Sequence, residues 1–82
     1  MKSKKTPRYS NPEITLKQIG ERLKEIRKSK GYDNYEKFAY EHNIPRAQYG
    51  RYERGISDLR VSSLLKILDA FDMTLEEFFK VF

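Results

Sequence analysis

Leu16, Ile19, Leu23 and Ile26 recur at intervals of three and four with charged residues between them. That spacing lays one apolar stripe along a helix. Thr15 and Gln18 have the Thr-x-x-Gln form of a capping box, which sets the start of this first helix, and Gly31 after Lys30 supplies its ending. Beyond Tyr32, either Asp33 or Asn34 can cap a second helix, Tyr35 to His42, with Phe38 and Ala39 facing inward. The tight turn His42-Asn43-Ile44-Pro45 follows. Asn43 tolerates the left-handed conformation that closes a helix, and Pro45 has its φ already set for the first position of the next.

The third helix is expected over Arg46 to Glu53, stopping at Gly55. It directs Tyr49 and Tyr52 inward and Arg46, Ala47, Gln48 and Arg51 outward. After a connection from Ile56 to Arg60, the residues Val61, Leu64, Leu65, Ile67, Leu68 and Phe71 make the most apolar helix of the chain and its expected core. Thr74 and Glu77 form a second capping box, opening a last helix through Leu75, Phe78, Phe79 and Phe82. No strand alternation and no internal repeat interrupts this pattern. The expected fold is all-α, a compact five-helix bundle.

Composition narrows the chemistry. Eighty-two residues make one small domain in which a catalytic pocket would be shallow. The 17 Lys and Arg against 12 Asp and Glu give a net charge of +5, which favours an anionic partner, nucleic acid ahead of membrane. Without cysteine there are no disulfides and no thiolate metal sites, which excludes zinc fingers. His42, the one histidine, has no partners at metal-binding or catalytic spacing and reads as partly buried filler. No metal or other cofactor is expected, and no enzymatic activity. No apolar run of signal-peptide or membrane-spanning length is present, so a cytoplasmic protein without a membrane partner is expected.

Charge is also uneven, with net values of +3 over residues 1–14, +4 over 15–60 and −2 over 61–82. Residues 1–14 read as a flexible basic arm, with Lys2, Lys4, Lys5 and Arg8, and 15–82 as the folded domain. Such an arm serves either as a phosphate-tracking or minor-groove tail or as a solubilising leader.

In order along the chain, Ile19-Gly20-Glu21-Arg22-Leu23-Lys24-Glu25-Ile26-Arg27, Phe38-Ala39, Tyr52-Glu53-Arg54-Gly55, Leu64-Leu65-Lys66-Ile67 and Leu75-Glu76-Glu77-Phe78-Phe79 resemble the Cro and phage-repressor type of helix-turn-helix protein, the XRE family. The resemblance spans residues 16–79. It implies a lambda-repressor-like fold and a transcriptional regulator that binds double-stranded DNA. The second and third helices would form the helix-turn-helix, and the N-terminal half of the third would enter the major groove. By position, Arg46, Ala47, Gln48 and Arg51 then stand where bases are read. Tyr35 falls where the family places a phosphate-binding Gln, with Asn34 as its substitute, and Arg54 and Arg60 would add phosphate contacts. The resemblance also implies a homodimer paired through the C-terminal helix region.

The chain departs from the family pattern in several places. One extra residue lies between Gly31 and Phe38, and His42, Asn43, Pro45 and Leu59 stand where Leu, Gly, a capping Ser or Thr, and Pro are usual. These residues bear on the register of the third helix more than on the fold.

The residue types suit the task. Arg bonds bidentately to guanine, Gln to adenine, and the methyl of Ala47 can meet that of thymine, each good pair discriminating by about 1–3 kcal/mol. Phosphate contacts position the domain and make binding salt-dependent. The plainer alternative for Arg46, Gln48 and Arg51 is solvated surface with Arg–Glu pairing, for example Arg51 with Glu53. Gly50 is costly inside a helix and is explained either by close approach to DNA or by close helix packing. Phe79, Val81 and Phe82 are more apolar than a free tail requires, pointing to packing under the first helix or to a dimer contact. The alternative function is a protein-interaction module of the same fold, such as an antitoxin or bridging factor with a protein partner.

Overall fold

The computed structural model describes residues 9–82, so most of the basic arm, residues 1–8, lies outside the described residues. Five helices follow in order: α1 Pro12–Ser29, α2 Tyr35–Glu41, α3 Arg46–Arg54, α4 Val61–Phe71 and α5 Leu75–Phe79. No strand occurs among the described residues.

Helix α1 begins earlier than its sequence pattern indicates. Pro12 occupies its first position and Asn11 its cap, with Ile14 N–H donating to Asn11 O at 3.1 Å. Thr15 lies inside the helix, so the expected Thr15–Gln18 capping box does not form. The fixed φ of proline and its missing N–H suit the first helical turn, and this starts the helix one turn upstream. At the other end Gly31, with φ of 94°, follows the cap Lys30 as expected. Asn34, rather than Asp33, caps α2: its side-chain oxygen accepts from the N–H groups of Glu36 at 2.7 Å and Lys37 at 3.3 Å. Asn43 adopts φ of 58°, the left-handed turn expected of it. Pro45 is the cap residue of α3 rather than its first helical residue. The Thr74–Glu77 capping box opens α5 with both reciprocal bonds in place, 3.1 and 2.9 Å.

The core gathers Leu23 and Ile26 from α1, Phe38 and Ala39 from α2, Tyr49 and Tyr52 from α3, Leu64, Ile67, Leu68 and Phe71 from α4, and Phe78 from α5. Phe38 lies at its centre, stacked on Phe71 with centroids 5.0 Å apart and tilted against Tyr49 at 5.2 Å. His42 is half-buried against Phe38 at 4.9 Å, the filler role expected of it. The apolar residues of α4 do not all turn inward. Val61 and Leu65 fall off its buried stripe and remain exposed.

Helix α1 crosses the C-terminal end of α3 closely enough to need glycine. A β-carbon at Gly20 would sit 2.5 Å from the carbonyl oxygen of Glu53. The same crossing carries an ion pair buried on both sides, in which the Arg27 guanidinium donates to both carboxylate oxygens of Glu53 at 2.7 and 3.0 Å and to Tyr32 O at 2.7 Å. Glu53 is therefore committed to Arg27 and not to Arg51. Residues two apart on a helix do not face each other, which is why the Arg51–Glu53 pairing does not arise. The bond to Glu53 raises the Arg27 pKa against the opposing effect of burial, so Arg27 is charged. The Tyr49 hydroxyl lies buried beside this pair without a hydrogen bond of standard geometry, and burial foremost, then Glu53, pushes its ionisation far up. Arg22 ties α1 to the other end of the domain, donating to the carbonyls of Phe78 and Glu77 at 3.1 Å each.

Candidate DNA-reading surface

Helices α2 and α3, joined by the turn at Asn43, form a helix-turn-helix. Its geometry is set from behind. Tyr49 and Tyr52 anchor α3 in the core, Gly55 closes it at φ of 70°, and Arg27 grips Glu53 near its end. With that inner face fixed, Arg46, Ala47 and Arg51 project as exposed residues on the opposite side and Gln48 is half-buried among them.

Arg46, Gln48 and Arg51 each have a defined neighbour. The Arg46 guanidinium lies over the ring of Tyr40, 5.9 Å from its centroid, and Tyr40 is 71% exposed. That exposure marks Tyr40 as a surface residue of the helix-turn-helix and not of the core. Gln48 accepts from the Arg51 guanidinium through Oε1 at 2.8 Å and donates through Nε2 to Ser57 Oγ at 3.1 Å. The Gln48–Arg51 bond follows from their spacing of three along a helix. Ser57 arrives only by the fold, as the chain doubles back after Gly55.

At the start of α2, Asn34 spends its side-chain oxygen on capping, leaving its amide nitrogen free of hydrogen bonds within the described residues. Tyr35 packs half-buried against α3. A β-carbon at Gly50 would lie 2.7 Å from Tyr35 Cε1 and 3.0 Å from its hydroxyl oxygen. Close helix packing therefore accounts for Gly50. Arg54 in the last turn of α3 and Arg60 at the cap of α4 are both exposed.

Away from this face, an open groove of about 770 Å³ runs between the start of α1 and the C-terminus, lined among others by Ile14, Gln18, Arg22, Phe79 and Phe82. Phe78 packs beneath α1, whereas Phe79, Val81 and Phe82 stay 38%, 67% and 52% exposed, so only part of the C-terminal apolar cluster is used within one copy. No helix among the described residues is long and apolar enough to cross a membrane.

A five-helix fold in which two helices meet across a tight turn, the second anchored in the core, defines the helix-turn-helix class. The helix-turn-helix family matches residues 23–78, more than half of the chain, and the chain belongs to it. It is accordingly a DNA-binding transcription regulator and not an enzyme. Among solved structures it is similar to the restriction-modification controller protein C.AhdI from Aeromonas hydrophila, with 32% identity, a TM-score of 0.73, and alignment over 80% of this chain and 98% of that one. None of the curated proteins matches the chain.

Proposed function

We propose that the chain is a sequence-specific regulator that binds double-stranded DNA as a homodimer, inserting α3 into the major groove. The observation that carries this reading is the outward face of α3, where Arg46, Ala47, Gln48 and Arg51 stand together while the inner face is fixed by Tyr49, Tyr52 and the buried Arg27–Glu53 pair. These four residues make up the surface offered to base edges. Asn34, Tyr35, Arg54 and Arg60 take the flanking phosphates, and the basic residues that precede α1 add further backbone contacts. Pairing uses the exposed apolar residues at the C-terminal end. The likeness to a restriction-modification controller supports the regulator reading and makes restriction-modification genes the first place to seek its operators.

Selection of bound sequences from a random duplex library tests the proposal. Two inverted half-sites spaced about 34–36 Å apart, one helical turn, are expected. Equal affinity for all duplexes would rule the reading out.

A further inference from the structure

Gln48 is the one residue of the reading face whose polar atoms are used on both sides. Its Nε2 donates to Ser57 Oγ at 3.1 Å and its Oε1 accepts from Arg51 at 2.8 Å. An amide reads adenine by presenting one N–H and its oxygen together to N7 and N6. Here those two groups point to opposite partners inside the protein. Each bond takes one of the two N–H groups of Nε2 and one of the two lone pairs of Oε1, and together they fix the plane of the amide, so Gln48 is held in place with only one donor and one acceptor site left, whereas Arg51, exposed and held through a single Nη2 contact, keeps the rest of its guanidinium edge for an acceptor pair.

We propose that Ser57, Gln48 and Arg51 form a relay in which Gln48 is a positioning residue and Arg51 is the base reader, with guanine as its target. The relay rests on the reading that α3 faces DNA. Its origin is geometric. Gln48 and Arg51 are neighbours at a spacing of three on α3, and Ser57 comes up beside Gln48 because the left-handed Gly55 reverses the chain. A free arginine loses several rotatable bonds' worth of freedom when it docks. Holding the guanidinium beforehand reduces that loss and narrows the directions from which it meets a base. Ser57 lies in the connection after α3, outside the residues that the family pattern assigns to DNA, and the relay makes it a determinant of base preference.

Base-preference profiles from library selection distinguish the roles. Arg51→Ala is expected to remove the preference at one G·C pair of each half-site, by roughly 10- to 100-fold. Gln48→Met, which keeps length without polar atoms, and Ser57→Ala are each expected to weaken the preference at that same pair by about three- to tenfold. All other positions should stay as in the native protein, and Ser57→Thr, which retains the hydroxyl, should restore the native profile. Thermal unfolding of each variant, followed by circular dichroism, shows whether the fold is retained. Loss of preference at a separate A·T pair in Gln48→Met would overturn the relay and make Gln48 a direct reader. A native profile in Gln48→Met and Ser57→Ala would also overturn it. If Arg51→Ala leaves every preference intact, the relay fails, and the reading that α3 faces DNA fails as well only if Arg46→Ala leaves them intact too.

Discussion

Arg27 and Glu53 are bonded through both carboxylate oxygens, at 2.7 and 3.0 Å, with side chains only 4% and 6% exposed, and they join α1 to the end of α3. Removing one partner leaves the other charge buried without compensation. Glu53→Gln or Arg27→Met is therefore expected to cost about 3–5 kcal/mol of stability in urea unfolding. The double variant Arg27→Met with Glu53→Leu should recover much of that loss, because no lone charge remains. Additive losses in the double variant would show that the pair stabilises the fold by something other than mutual compensation.

Gly50 and Tyr35 make a second test of packing. Alanine is favoured over glycine in a helix by about 1 kcal/mol, but a β-carbon at position 50 would lie 2.7 Å from Tyr35 Cε1. Gly50→Ala should thus destabilise the native protein by about 1 kcal/mol or more, as overpacking outweighs propensity. In a Tyr35→Ala background the same change should stabilise by about 1 kcal/mol. Equal effects in both backgrounds, measured by denaturant unfolding, would exclude Tyr35 as the obstacle.

Glu77 gives the domain an acid-sensitive end. The backbone N–H of Thr74 first, and then its hydroxyl, hold the Glu77 carboxyl below its ordinary value of 4.5. The unfolded chain then binds the proton more readily than the folded one. The contribution of Glu77 is complete above pH 4.5 and is lost as pH falls through the lowered value. Between those limits native protein should lose stability faster than Glu77→Gln. Parallel stability profiles for the two would deny the capping box any share in acid unfolding.

Most of the helices are legible from apolar spacing and caps because those signals are local. Leu23, Phe38, Tyr49 and Phe78 are all buried as their spacing requires. The start of α1 was less plain, since two start signals compete within four residues and Pro12 prevails over Thr15. Val61 and Leu65 show the limit of counting apolar residues, because α4 has more of them than its buried stripe can take. The outward residues of α3 were legible as a set, but their wiring was not. Glu53 meets Arg27 across 26 positions, and Ser57 reaches Gln48 only after the chain reverses. Arg46 over Tyr40 likewise depends on the angle between α2 and α3, which no local spacing encodes.

Pairing through the C-terminal end can be tested at Val81. Of the apolar residues there, Phe78 is fully buried and Phe79 and Phe82 contact its ring, at 4.9 and 6.0 Å between centroids, so changing either aromatic disturbs the monomer as well as any interface. Val81 is 67% exposed and belongs to no buried cluster, which separates the two effects. Val81→Asp should leave monomer stability within about 0.5 kcal/mol while placing a charge where a second copy would seat. Sedimentation should then show a monomer for Val81→Asp against the proposed dimer for the native protein. Affinity for a site with two half-sites should drop by about 100-fold or more as the linked second contact is lost, and affinity for a single half-site should barely change. An unchanged sedimentation profile would move the interface elsewhere, with the exposed Val61 and Leu65 on α4 the next surface to probe.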